Sequence, residues 1–500
     1  MSLRDPNAAP SQVDEIELAF RVPLPPSTST FFLDSEPSNQ LASISNHSRS
    51  DTGLRSVNEV ALPPADGGFG AWSFLAAAFT VEAIVWGFPD AYGVFLNSYL
   101  QDPRYATQKS ATSLLPLIGT LSSGIIYCSA PIINPIATRY PHHRRKSMWL
   151  GAALCSGTLF GASYATEIFQ LIILQGVLYA IGGSLLYLPC ISYMSEWFIA
   201  RRGMANGILF AGTAAGGLLI PLVLPLLTEK YGLATTLRIL GIAMAVLIFP
   251  ILPFIRGRLP QTRVQIQGPV PRGAPGPQRW FKQRSFWILL AVNTLQGSAY
   301  FVPIVYLPTF AHDLQVNASK SAVTVALLNA ASVVGRLSMG YLSDTFNPWM
   351  LAFSILITTS ATSFILWGVL SYSFAGLVAF GIAYGTVAGG WTCLWTGFVK
   401  PLAKDDLVMS TTLYGYLLLS RGVGNIVSTP ISARLYSQTH LNHNANATAA
   451  VVQSKIGFEV GDGRFETMIV YVGTCFAGAA GVAALGWVMD VRKRREGEAR

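Results

Sequence analysis

Residues 329–344 read NAASVVGRLSMGYLSD, the larger part of an apolar run that covers 321–343 and holds one arginine, Arg336, deep inside it. About 20 consecutive apolar residues are what a helix needs to cross the hydrocarbon of a bilayer. A guanidinium at the centre of such a helix costs about 2.5–3.5 kcal/mol on insertion scales. The run is long enough to be a membrane span, and its arginine is expensive enough to need a compensating role.

Comparable runs recur on both sides of it, at 71–97, 112–137, 148–165, 168–194, 204–228 and 235–255, then at 286–310, 349–370, 373–398, 408–434 and 466–489. The narrowest break is the Thr166-Glu167 hairpin. With 321–343 counted, the expectation is an all-α membrane protein with twelve transmembrane helices in two pseudo-symmetric six-helix bundles. A weak internal echo supports two related halves. Lys109-Ser110-Ala111 opens the second run and Lys320-Ser321-Ala322 the eighth, with Gly124 and Gly335 each fourteen residues after the serine. Related bundles with a substrate site between them are the build of alternating-access transporters.

The whole 500-residue composition agrees: 51% is hydrophobic and only 12% charged, against about 25% charged in soluble domains. That deficit excludes a large soluble enzyme and a disordered scaffold. The formal charge of +9 is read as a membrane-side asymmetry and not as a nucleic-acid footprint. Residues 1–66, rich in Ser, Pro and Asn, are expected to be a disordered cytosolic tail. The bundles then occupy 67–255 and 286–490, joined by a Pro/Gly-rich cytosolic linker at 256–285 with seven Arg or Lys, and 491–500 form a basic cytosolic tail.

With both termini inside, Arg139, Arg144 to Lys146, Arg201, Arg202, the linker cluster, Lys400, Lys404 and Arg492 to Arg495 fall on the cytosolic side. Only Arg104, Lys109, Lys230, Lys320, Lys455 and Arg464 fall outside, the asymmetry of the positive-inside rule. Asn317-Ala-Ser and Asn446-Ala-Thr are glycosylation sequons in loops assigned outside, whereas Asn46-His-Ser lies in the tail and is expected to stay bare.

Ionisable residues at membrane depth are functional candidates by default. Arg336 and Arg421 (YGYLLLSRGVGNIVSTP) and Glu82 and Asp90 (FTVEAIVWGFPDAYGVF) are the four, and Asn329 joins them as a polar candidate for the solute site. An arginine in a dry cavity can hold a carboxylate through two parallel hydrogen bonds and cannot lose its charge there. A buried carboxyl can take up and release a proton during a cycle. The bland alternatives are that Arg336 pairs with Asp344 or with backbone carbonyls, and that Glu82 and Asp90 merely satisfy neighbouring helices. Gly212, Gly216, Gly381, Gly385 and Gly389 are read chiefly as close helix contacts. Trp86, Tyr300, Tyr306, Trp391 and Trp395 are candidate cavity aromatics beside the commoner packing role. Cys128, Cys155, Cys190, Cys393 and Cys475 read as buried hydrophobes, the six histidines lie in loops or the tail, and no P-loop is present. No cofactor, metal or catalytic constellation is expected.

Three stretches carry a family resemblance covering roughly residues 64–490: Asp66-Gly-Gly-Phe-Gly-Ala-Trp72, the segment from Trp197-Phe-Ile-Ala-Arg-Arg-Gly203 on to Gly212, and Gly335-Arg-Leu-Ser-Met-Gly-Tyr341. Together they resemble the monocarboxylate porter family of the major facilitator superfamily, above all its fungal branch. The resemblance implies the major facilitator fold and places Arg336 where that family has its substrate-binding arginine. It also implies a fastening role on the cytosolic face for Arg139, Arg201, Arg202 and Asp344. Animal members carry an aspartate where Ser332 stands and a lysine where Asp90 follows Pro89, so lactate/proton symport is missing two of its usual charges. Fungal members include vitamin or organic-acid carriers and exporters tied to secondary-metabolite pathways.

The leading expectation is a secondary active transporter, not an enzyme, that moves a small carboxylate-bearing organic solute across the plasma membrane, with a proton as candidate co-substrate. The vacuolar membrane is the alternative location. The rival readings are an exporter of a fungal secondary metabolite and, from another class, a non-transporting receptor on a transporter fold.

Overall fold

The structure is a computed structural model that describes residues 62–259, 280–403, 406–444 and 455–498. Most of the expected tail and linker lies outside those residues, as do Lys404, Asn46 and Asn446. The described chain is helical throughout. Its principal helices are α1 (Gly68–Asp90), α2 (Ala111–Cys128), α3 (Pro141–Ala162), α4 (Tyr179–Trp197), α5 (Arg202–Tyr231) and α6 (Leu233–Ile251). They continue with α7 (Arg284–Asp313), α8 (Ala318–Thr345), α9 (Pro348–Ala361), α10 (Phe374–Ala388), α11 (Leu407–Asn444) and α12 (Glu466–Glu498).

Local chemistry sets several boundaries. Pro141 and Pro348 open α3 and α9, where the missing N–H costs nothing. Asn347 caps α9 by accepting from the amides of Trp349 and Met350 at 2.9 and 3.4 Å. Gly232, at φ +77°, turns the chain between α5 and α6 in a conformation that a side chain would resist. Two residues after Pro89 the helix is interrupted at Ala91 (φ −90°, ψ 0°), and it resumes over Tyr92–Gln101.

Among the described residues, nine helices are long and apolar enough to cross a membrane, or ten if the bent pair Leu114–Cys128 and Ala130–Arg139, inclined at 42°, is one span. The helices at the expected third and eleventh places, α3 and α11, are long enough but fall below that apolarity. The cause is in their sequences: His142–Lys146 dilutes the first, and Arg421, Asn425 and a series of Ser and Thr dilute the second. Large apolar side chains such as Leu219, Leu226, Val246, Ile365 and Leu485 are exposed on the outer surface, where lipid and not water is the compatible solvent. The protein is multi-pass.

Helix α5 packs against both α1 and α8, α7 against α11 and α12, and α2 against α11. Small residues permit these approaches, as expected for Gly212, Gly216, Gly385 and Gly389. A Cβ on Gly216 would enter the Ala83 carbonyl of α1, and one on Gly340 would stand 2.7 Å from the Gly203 carbonyl and 2.8 Å from the Gly207 Cα of α5. The α1–α5 and α5–α8 contacts therefore hold backbone close to backbone.

Candidate functional site

The five polar residues singled out for solute binding, which come from three helices at widely separated places in the chain, line one cavity. Glu82 and Asp90 reach it from α1, Asn329 and Arg336 from α8, and Arg421 from α11. Space for the centre of a water molecule within it is only about 20 Å³, so the site is nearly closed in this conformation.

Arg336 is buried. Its Nη1 donates to the Phe210 carbonyl of α5, and its Nη2 lies 3.4 Å from the Tyr300 hydroxyl of α7. Asp344, on the same helix, is occupied elsewhere. Its two oxygens accept from the amides of Gly203 and Met204 at 2.8 and 2.9 Å, capping the start of α5. Arg421 donates from Nη1 to Gln296 Oε1, and its Cζ stands 4.6 Å from the centre of the Tyr300 ring and 5.6 Å from that of Phe301. Tyr300 thus touches both guanidinium groups, one through its hydroxyl and one through its face.

On the acid side, Glu82 Oε1 accepts from the Thr213 hydroxyl at 2.9 Å, while Oε2 has no hydrogen-bond partner among the described residues. Buried Nε atoms of Arg336 and Arg421 and the Trp86 indole N–H are likewise without partners there. No ion pair joins any of the four charged residues among the described residues. Arg336 still lies within electrostatic reach of both acids, and Arg421 of Asp90. Orphaned donors and acceptors are rare in a packed interior and call for a reason. Asn329 donates to the Gly217 carbonyl at 3.0 Å, tying α8 to α5 beside the cavity.

Of the expected aromatics, Trp86 and Tyr300 line the cavity, whereas Tyr306, Trp391 and Trp395 do not. Trp391 instead donates to Asn293 Oδ1 at 2.7 Å, and Trp395 packs on Phe210 and Tyr414. Tyr127, Tyr187, Phe210, Thr213 and Thr392 line it without having been anticipated.

Polar contacts bracket Arg421 along α11. On one side Arg202 Nη2 donates to Ser410 Oγ at 3.1 Å, Asn134 Nδ2 to the Thr411 carbonyl at 3.1 Å, and Asn206 Nδ2 to the Tyr414 hydroxyl at 2.7 Å. On the other side Asn425 Nδ2 donates to Ser123 Oγ at 3.0 Å and Thr120 meets Thr429 at 3.4 Å. Each of these bonds joins one of the first six helices, or the continuation of α2, to α11. Arg139 and Arg201 are exposed. The Arg139 guanidinium stands 5.9 Å from the Tyr140 ring, and the Arg201 amide donates to Asp66. Asp66 also accepts from Ile199 and Ala200, so one carboxylate gathers three successive amides at 2.9–3.0 Å. Asp66→Ala leaves those amides without their acceptor. At about 1 kcal/mol per lost bond, the purified protein should melt several degrees lower, measured by thermal unfolding in detergent. Asn317 is exposed at the start of α8.

The frame is helical and multi-pass, and its polar cavity is lined by helices from both halves of the chain. The chain belongs to the Major Facilitator Superfamily, whose family model matches residues 69–429. It is therefore a transporter and not an enzyme. It is 26% identical over 375 residues to the MFS transporter asaE of Aspergillus flavus, covering 74% of this chain and 81% of that one. It is also 26% identical over 383 residues to the aspyridones efflux protein apdF of Emericella nidulans, covering 75% and 74% of the two chains. Among solved structures it is similar to the proton:xylose symporter XylE bound to 6-bromo-6-deoxy-D-glucose, with a TM-score of 0.59 at 14% identity over 82% of this chain and 94% of that one. That likeness establishes the fold alone.

Proposed function

We propose that this protein is a secondary active exporter of a metabolite that carries an anionic group, most simply a carboxylate, and an aromatic or apolar body. The observation behind the anionic group is the meeting of Arg336 and Arg421 in one cavity, with no ion pair to either among the described residues. The aromatic lining and the efflux function named for a relative of similar length support export of a larger solute over uptake of a short one. Uptake of a short carboxylate by a monocarboxylate porter is the second reading, favoured by the Gly335–Tyr341 stretch and the position of Arg336 within it. Counterflow from proteoliposomes separates the two. Larger aromatic acids should exchange and lactate should not, and the reverse order would favour the porter reading.

In this proposal twelve helices form bundles at 67–255 and 286–490, with both termini in the cytosol and the plasma membrane as the site of action. The hydrogen bonds that bracket Arg421 would break and re-form on alternate sides of the solute. At about 1 kcal/mol net each, they are weak enough to exchange. The topology has its own test: Asn317→Gln should remove a glycan and increase mobility on a denaturing gel, while Asn46→Gln should leave it unchanged. Proton coupling is assigned to Glu82 or Asp90, which lie within electrostatic reach of Arg336. The matching neutral variant, Glu82→Gln or Asp90→Asn, should keep solute exchange at near the normal rate and lose at least about tenfold of uphill transport driven by a pH gradient. Loss of both together would contradict that assignment.

A further inference from the structure

A second cavity lies away from the central one, where the first turn of α3, the last turn of α4 and the segment 255–259 meet. It leaves about 120 Å³ for the centres of water molecules, and three arginines line it, Arg144, Arg145 and Arg256, against a single acid, Glu196. That acid is already engaged: one oxygen accepts from the Leu259 amide at 3.3 Å and the other stands 3.7 Å from Arg144 Nη1, beyond hydrogen-bond reach. Arg144 is buried and held in place, its Nε donating to the Ala137 carbonyl at 2.7 Å and its Cζ 5.7 Å from the centre of the Tyr193 ring. Arg145 and Arg256 are exposed and make no ion pair among the described residues. Among the lining residues the formal balance is three positive charges to one negative, and Arg258, within electrostatic reach of Glu196, raises the surplus to three.

The surroundings point to lipid. Trp149, one turn beyond Arg145, and Phe254, two residues before Arg256, are both exposed, and Trp149 stacks on Phe249 at 5.6 Å. Exposed tryptophan and phenylalanine beside a basic cleft mark the headgroup level of a membrane, where basic pockets between helices take phosphorylated headgroups.

We propose that this cavity binds the headgroup of an anionic phospholipid bearing a phosphomonoester, with Arg145 and Arg256 closing on the phosphate from either side of the fixed Arg144. A phosphomonoester carries a charge of about −1.5 to −2 near neutrality, and the phosphodiester of the same lipid adds one more, a total close to the surplus; a lipid with the phosphodiester alone carries a single negative charge. Guanidinium forks suit phosphate oxygens in paired hydrogen bonds. Only the choice of the cytosolic leaflet rests on the topology proposed above; binding itself does not.

The test uses the purified full chain in detergent, titrated with dioctanoyl phosphatidylinositol 4-phosphate and read by thermal shift or native mass spectrometry. Dioctanoyl phosphatidylinositol, inositol phosphate without acyl chains, and inorganic phosphate form the parallel arms. The phosphomonoester lipid should bind at least about tenfold more tightly than phosphatidylinositol. Arg145→Gln and Arg256→Gln should each weaken it about fivefold, in line with about 1 kcal/mol per basic residue near a charged surface. Both residues are exposed, so each variant should fold, and either alone keeps the test open if the other does not. Equal affinity for the two lipids, or unchanged binding by both variants, would overturn the site. Binding of inositol phosphate or inorganic phosphate as tight as that of the lipid would overturn its assignment to the membrane.

Discussion

Arg336→Ala, in protein that reaches the membrane in normal amount, should lower solute exchange by about ten- to a hundredfold. A hydrogen bond to a charged group is worth about 1.5–3 kcal/mol, and each 1.4 kcal/mol is a factor of ten. The substitution also strands the Phe210 carbonyl and removes one contact of the Tyr300 hydroxyl. Arg336→Lys should fall between, since lysine keeps the charge but offers a point donor in place of a planar fork. Initial rates of counterflow in proteoliposomes, normalised to reconstituted protein, give the comparison. Full activity in Arg336→Ala would remove this residue from solute recognition. The loss should be greater for anionic than for neutral solutes, because only the former also lose a charge-assisted hydrogen bond.

Gly340→Val should produce the second large change, and through a different cause. Gly340 meets the Gly203 carbonyl and the Gly207 Cα of α5, one turn from where Asp344 holds the first amides of that helix. A branched side chain there forces α5 and α8 apart, and overpacking of this kind costs about 1–3 kcal/mol. In the alternating-access cycle proposed above, that is enough to shift the balance between conformations that keep and break this contact by about five- to a hundredfold. In a chain whose five native cysteines are replaced, Ser410→Cys provides the readout, since Ser410 is buried and bonded to Arg202. Maleimide labelling of that position should become at least about fivefold faster in the Gly340→Val background. An unchanged labelling rate would mean that the α5–α8 contact does not control access.

The charged lining of the cavity was legible in the sequence because lipid makes charge conspicuous. Glu82, Asp90, Arg336 and Arg421 stand out in apolar runs, and the cost of placing them there makes a shared site the economical arrangement. Tyr127, Tyr187 and Phe210 gave no such signal, since an aromatic residue in a span packs, anchors or lines a cavity with the same local sequence. Gln296 was overlooked as the partner of Arg421 for a related reason: it is neutral and 125 residues away. The bland reading of Arg336 holds in one half, since the guanidinium does donate to a backbone carbonyl, that of Phe210; its other half, a pairing with Asp344, failed because it considered one helix at a time. The carboxylate caps α5, 141 residues earlier in the chain, and only the tertiary approach of α5 to α8 brings the two together.

Boundaries show the same limit. Composition puts Asp66 at the end of a polar tail and Arg256 at the start of a linker. In the structure, Asp66 gathers three amides ahead of α5, and the segment 255–259 lies against Tyr193 and Glu196. Polar residues that fasten one segment to another have the composition of polar residues in a loop. The apolarity of α3 and α11 has a physical reading too. A helix that lines a cavity or begins in a basic loop gives up apolar positions on that side, so α11, which carries Arg421 and Asn425, cannot also be uniformly hydrophobic.

The central claim is that an anionic group of the solute lies between Arg336 and Arg421, and direct binding tests it without any assumption about direction or coupling. Purified protein should be stabilised against heat by aromatic carboxylic acids at concentrations at least about tenfold lower than by their primary amides, which match them in shape but not in charge. Arg336→Gln with Arg421→Gln should abolish that preference. Equal stabilisation by acid and amide in the unaltered protein, or a preference that survives loss of both guanidinium groups, would contradict it.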